Sequence, residues 1–180
     1  MAAKNSSESW GAVARIFHWT IFIVIAGLLV VGVLMTDMPD GPDKGELYGL
    51  HKSFGAVLLA LVLLRLGWRL MNVRPDLPGH MKSWEATLAK ANHLVLYVVI
   101  ILMPVSGIVM SQAAGFPVSV FGLFELPTFV EKSKELGGLA HSIHYWTGWT
   151  IVALVALHIA GALKHHLVYK DNVLRRMISG

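Results

Sequence analysis

The stretch His144–Tyr145–Trp146–Thr147–Gly148–Trp149–Thr150–Ile151–Val152–Ala153–Leu154–Val155–Ala156–Leu157–His158 holds two histidines fourteen residues apart with no acid or base between them. An ionisable side chain within a membrane span is costly, so it marks a candidate functional site. In a helix, fourteen residues is close to four turns, which puts both imidazoles on roughly one face, about 21 Å apart along the axis. That separation suits two stacked redox centres, one in each leaflet of a hydrocarbon core about 30 Å thick. The spacing points to a membrane protein that moves electrons.

The rest of the chain fits a membrane setting. Its 180 residues are 55% hydrophobic and 14% charged, with a mean hydropathy of +0.61. Charges gather at the ends and in the loops. Four apolar runs are near the length a spanning helix requires: Ile16 to Met35, Phe54 to Leu70, His93 to Ser111, and Ile143 to Leu163. The second run contains Arg65. No segment alternates with a two-residue period, and in hydrocarbon only helices or closed barrels satisfy the backbone. The expected fold is all-α, a four-transmembrane-helix bundle forming one domain over residues 1–180. Its helices are expected at about 15–36, 50–71, 92–112 and 141–168.

The first run is too long for a signal-peptide core, and Thr36–Asp37–Met38–Pro39 is a poor cleavage site, so it is expected to remain as a helix. The chain has no cysteine. That excludes disulfides, thiolate-bound iron–sulfur clusters and thioether-linked haem.

Orientation follows from the bias of Lys and Arg toward cytoplasmic loops. Lys4, Arg15, Arg69, Arg74, Lys82, Lys90, Lys164, Lys170, Arg175 and Arg176 fall on one side. Lys44, Lys52, Lys132 and Lys134 fall on the other, with seven acids. Both termini and the middle loop are therefore expected in the cytoplasm. The pI near 9.5 reflects topology and contact with anionic lipid, and no nucleic-acid motif is present. Asp37 to Gly45 and Val73 to Gly79 read as Pro/Gly-rich connectors. Ala113 to Gly138 reads as a long outer loop whose apolar Phe116 to Val130 part lids the bundle or packs against lipid. Six tryptophans near helix ends resemble an aromatic belt.

Placed by depth, the histidines pair as His51 with His144 on the outside and His18 with His158 on the inside. Imidazole suits iron, copper, nickel and zinc alike. Small residues one turn away tip the choice toward a flat macrocycle: Gly55 after His51, Gly148 after His144, Gly161 after His158, and Ala14 before His18. The competing account is that small residues let membrane helices approach closely. His93 starts the third helix at the inner depth and competes with His18, or caps the helix. His141 reads as a rim residue. His165, about 10 Å nearer the cytoplasm than His158, joins His166, His80 and Lys82 in a cluster that surrounds a polar headgroup or touches phospholipid. Arg15, Lys52 and Arg65 are candidate haem-propionate contacts, with snorkelling the alternative for the first two.

Three stretches carry a family resemblance: Arg15–Ile16–Phe17–His18–Trp19, His51–Lys52–Ser53–Phe54–Gly55, and the fourth helix with its ending His165–His166–Leu167–Val168–Tyr169–Lys170–Asp171–Asn172. Together they resemble the bacterial cytochrome b561 family over nearly the whole chain. The resemblance implies an inner-membrane, multi-pass cytochrome with two b haems, one on His18 and His158, the other on His51 and His144. It implies exchange of electrons with ubiquinone, a quinone pocket at His80, Lys82, His165 and His166, and a periplasmic donor that includes superoxide in some members. The fold is also similar to cytochrome b subunits of hydrogenases and formate dehydrogenases, which implies the alternative of a membrane anchor and relay for a partner redox subunit. A histidine-lined metal or proton pathway is the third reading.

Overall fold

The computed structural model describes residues 2–180. Four long helices carry the chain: α1 (Ala12–Asp37), α2 (Pro42–Met71), α3 (Ser83–Ala113) and α4 (Lys134–Lys164). A two-stranded hairpin, β1 (Ser119–Val120) and β2 (Phe124–Glu125), lies between α3 and α4. A π-helical turn, His165–Tyr169, and a short α5 (Val173–Ile178) close the chain. All four long helices are long and apolar enough to cross a membrane.

Three helices start earlier than their apolar runs suggest, because polar first turns continue them beyond the hydrocarbon. The α2 helix begins at Pro42 and not near residue 50, for proline at the first turn lacks only an N–H that would go unused, and Asp43 lies beside the positive helix end. The connector expected over Asp37 to Gly45 shrinks accordingly to residues 38–41. The α3 helix begins at Ser83 rather than near 92, with Glu85 accepting a hydrogen bond from the Lys82 N–H at 3.2 Å. The α4 helix begins at Lys134 rather than near 141, where Ser133 Oγ accepts from Leu136 N–H at 3.2 Å, a side-chain N-cap.

The interior is a thin layer at mid-depth. Ile21 of α1, Leu58 and Val62 of α2, Val99 and Ile100 of α3 and Ile151 of α4 are buried against one another. Outside this layer large apolar side chains point outward, with Ile23 66% exposed, Leu34 57% and Leu64 61%. Apolar patches of this extent around a whole bundle belong in lipid.

Both termini and the α2–α3 connection meet at one end of the bundle, here the termini end. Asp76 N–H donates to the Ser7 carbonyl at 2.8 Å, and Arg176 Nη1 donates to the Asp76 carbonyl at 2.8 Å. Trp19 Nε1 donates to the Met177 carbonyl at 3.0 Å. The opposite, loop end carries the hairpin segment. Its turn has positive φ at Phe121 (52°) and Gly122 (71°), closed by Leu123 N–H to the Val120 carbonyl at 3.0 Å. Phe121 in this region is unusual for a bulky side chain. Buried Ser53 of α2 holds it there, accepting from Phe121 N–H at 3.0 Å and lying 3.0 Å from the Ser119 carbonyl. Gln112 pins the segment after β2, donating to the Pro127 carbonyl at 2.8 Å and accepting from Phe129 N–H at 3.0 Å.

Candidate functional site

His144 and His158 of α4 each face a partner on another helix. At the loop end His51 and His144 lie with ring centres 6.2 Å apart. At the termini end His18 and His158 are 6.1 Å apart. The buried apolar layer of Ile21, Leu58, Val62 and Ile151 separates the two pairs.

These separations can be tested against an iron between the rings. Two metal–imidazole bonds of about 2 Å each, plus about 1 Å from each ligating nitrogen to its ring centre, give about 6 Å. Both pairs match. At the loop end a small apolar hollow bordered by Leu28, His51, Gly55, Met103, His144 and Ile151 lies beside the pair. A β-carbon built on Gly55 or on Gly161 would meet nothing within 4 Å, so both positions leave open space beside their histidines. At Gly148 the same atom would meet Met103 Cε at 3.3 Å, so that glycine serves α3–α4 packing. Donor set, spacing and open space fit a b haem at each depth.

Hydrogen bonding fixes the loop-end ring further. His144 Nδ1–H donates to the Met103 carbonyl at 2.9 Å, with Ser106 Oγ 3.2 Å away. An imidazole held through one nitrogen presents the lone pair of the other to a metal. Pro104 lacks an N–H for the Ile100 carbonyl, which loosens the α3 ladder in the turn that receives this ring. His51 Nδ1 is buried with no hydrogen-bond partner among the described residues.

The termini-end pair sits in a more polar place. Arg65 Nη2 lies 3.1 Å from His18 Nδ1, and a metal on the other ring nitrogen, which leaves the proton on Nδ1, would turn this guanidinium aside. The guanidinium groups of Arg65 and Arg69 lie 5.7 and 5.5 Å from the Tyr97 ring centre. His93 also reaches His158, at 5.3 Å between ring centres. That is shorter than an iron-bridged pair and is an edge-on ring contact.

Among the other residues singled out in the sequence, the structure gathers His80 and His165, whose ring centres are 6.4 Å apart. Asp171 joins them, its Oδ2 2.6 Å from His165 Nδ1 and 3.2 Å from His80 Nε2. Burial alone would raise the Asp171 carboxyl. Hydrogen bonds from His165 and the Val173 N–H, with the charges of His165 and His80, hold it below its ordinary value. Lys82 and His166 are exposed, and so is His141. Arg15 is buried, with Nη1 donating to the Ile178 carbonyl at 3.3 Å. Lys52 Nζ donates to the Pro117 carbonyl at 3.0 Å, which ties the hairpin segment to α2.

Several contributors were not visible in the sequence. Gly107 of α3 and Gly32 of α1 touch the loop-end rings across helix interfaces: an added β-carbon would lie 3.0 Å from His144 Cε1 and 3.4 Å from His51 Cε1. Glu85 accepts from Tyr169 Oη at 2.7 Å and from Lys164 Nζ at 2.6 Å, joining α3 to the end of α4 beside the His80–Asp171–His165 cluster. Asp171 is six residues from His165, a spacing that does not share a face in an α-helix. Its place depends on the π turn.

Residues 9–180 match the sequence profile described as prokaryotic cytochrome b561. "Cytochrome b561 homolog 2" of Escherichia coli (strain K12) is 32% identical over 185 residues, covering 99% of this chain and 95% of the relative. "Probable superoxide oxidase CybB" of Yersinia pestis is 29% identical over 129 residues, covering 72% of this chain and 73% of the relative. "Probable Ni/Fe-hydrogenase 1 B-type cytochrome subunit" of Escherichia coli (strain K12) is 23% identical over 209 residues, covering 94% and 87%.

Proposed function

The chain belongs to the prokaryotic cytochrome b561 family, and from that premise we propose that it carries electrons across the bacterial inner membrane between a periplasmic donor and ubiquinone. In this reading the termini end faces the cytoplasm, following the basic bias of its loops. Two b haems serve the path, one held by His18 and His158, the other by His51 and His144. The observation that carries the proposal is the pair of matched imidazole separations, 6.1 and 6.2 Å, at two depths of one bundle.

Haem b supplies reversible one-electron chemistry. The protein's part is to hold the rings, exclude water and set local charge. Met103 and Ser106 orient His144. Arg65 adds a fixed positive charge at the termini-end pair, and Tyr97 stacks beneath it. Positive charge near a redox centre favours its electron-rich state, which biases electrons from the loop end toward the termini end.

With superoxide as donor, two anions each give up one electron and become dioxygen. One ubiquinone takes both electrons and two protons to become ubiquinol. The relative named as a superoxide oxidase supports this donor. We place the quinone near His165 and His80, imidazoles able to pass protons near neutral pH, with Lys82 and His166 on the rim.

The relative named as a hydrogenase cytochrome subunit supports a second reading, a relay for a partner subunit. The 80% exposure of Leu123 and 73% of Phe129 offer that partner an apolar landing on the hairpin segment. The test is to mix purified protein with superoxide and a soluble ubiquinone analogue and to follow quinol formation. Quinol made at half the superoxide consumed supports the first reading. Reducible haem without quinol formation favours the relay.

A further inference from the structure

The chain end brings the carboxylate of Asp171 onto two of the imidazoles placed beside the quinone, His80 and His165. The α-helical ladder of α4 widens into a π turn over His165–Tyr169, and Lys170 follows with φ of +53°. The Asp171 N–H then donates back to the His165 carbonyl at 3.2 Å. π turns of this kind are uncommon and gather at functional sites. This one folds the Asp171 carboxylate back onto the ring six residues before it. His80 of the α2–α3 connection completes the group, and one ligand atom from each residue lies within 4.8 Å of the others.

We propose that His80, His165 and Asp171 form a binding site for a divalent transition-metal ion of the zinc class. Two imidazoles and one carboxylate with a fourth position open to water are a donor set that zinc accepts. On a tetrahedral ion with bonds of about 2 Å, neighbouring ligand atoms stand about 3.3 Å apart. His80 Nε2 and Asp171 Oδ2 are already 3.2 Å apart. His165 Nδ1 and Asp171 Oδ2, hydrogen-bonded at 2.6 Å, part slightly as the ion displaces the shared proton.

The side chains of His165 and Asp171 are 12% exposed and that of His80 is 47% exposed, so the fixed half of the site is buried and the closing half faces solvent. A metal can therefore enter from the His80 side. Nearby positive charge is partly offset, since Lys164 is paired with Glu85. An ion here staples the connection between α2 and α3 to the end of α4. The proposal goes beyond the electron-transfer reading and does not depend on it. Where the quinone lies beside these imidazoles, the same ion also withholds them from proton transfer.

The test uses tag-free, haem-loaded protein in detergent, stripped of metal by a chelator and titrated with Zn²⁺ against a chromophoric competitor. One high-affinity Zn²⁺ per chain is expected. Affinity should fall at least tenfold in His80→Ala and in Asp171→Asn, since even losing an outer partner of a ligand commonly costs that much. His80 lies in an exposed connection, so its replacement leaves the bundle intact, which the haem spectrum verifies. Zinc-edge X-ray absorption should show imidazole scattering from two rings and oxygen neighbours. Zn²⁺ affinity unchanged in both variants, or absorption fine structure without imidazole, would overturn the proposal and leave the three residues as a hydrogen-bonded clasp. Quinone reduction measured with and without Zn²⁺ is a separate readout. Its insensitivity would count against the quinone placement while the metal site stood.

Discussion

Gly107 of α3 and His144 of α4 meet at contact distance: a β-carbon on Gly107 would stand 3.0 Å from His144 Cε1 and 3.3 Å from Nδ1. The ring cannot swing aside cheaply, because the Met103 carbonyl and Ser106 Oγ hold its Nδ1 in place. One methyl group at a glycine therefore presses directly on a proposed axial ligand. Gly107→Ala should destabilise the fold by about 1–3 kcal/mol, the usual range for overpacking. It should also lower loop-end haem occupancy while sparing the other haem. Redox titration of the purified variant checks this, and two full-amplitude haem transitions with wild-type midpoints would show that the contact relaxes freely.

His144→Ala and His158→Ala should each remove about half of the haem per chain, measured as pyridine haemochrome against protein mass. Each change deletes one ligand of one pair and leaves the other pair 6.1 or 6.2 Å apart. His93→Ala should retain both haems, since its 5.3 Å approach to His158 is too short for an intervening iron. Loss of the termini-end haem in His93→Ala, with retention in His18→Ala, would reverse that assignment.

Ser53 anchors the hairpin segment by accepting from Phe121 N–H, at the residue whose φ is +52°. In Ser53→Ala a part-buried backbone donor loses its partner, at a cost of about 1–3 kcal/mol. Hydrogen exchange should rise across residues 116–130 and stay unchanged in the middle of α3. Equal protection in both proteins would show that Lys52 and Gln112 hold the segment by themselves.

The Asp171 carboxyl titrates below its ordinary value of 3.8 in the folded protein. A group with a depressed folded pKa stabilises the fold above its unfolded pKa and loses that contribution as pH falls through the folded one. Near pH 7 the contribution is complete and flat with pH. Asp171→Asn should then unfold residues 165–178 more readily than wild type at pH 7, and the gap should close as pH drops below 3.8. Hydrogen exchange of the chain end in both proteins measures it, and a gap that does not narrow at all as pH falls below 3.8 would place the effect in packing.

Four spans and the depths of His18, His51, His144 and His158 were legible in the amino-acid order because hydrocarbon is a severe solvent. It demands long uncharged runs and makes every histidine within them conspicuous. The fourteen-residue interval in α4 set the two levels, since helical rise is nearly constant. Tertiary structure decided what depends on which surfaces meet. Tyr97 stacks on Arg65, Gly107 receives His144, and His18 rather than His93 stands at iron-bridging distance from His158, all through helix packing that no local pattern encodes. The joining of His80 to His165 through Asp171 needs a π turn, a left-handed Lys170 and a connection ninety residues away in the chain, so only the folded backbone brings those three side chains together.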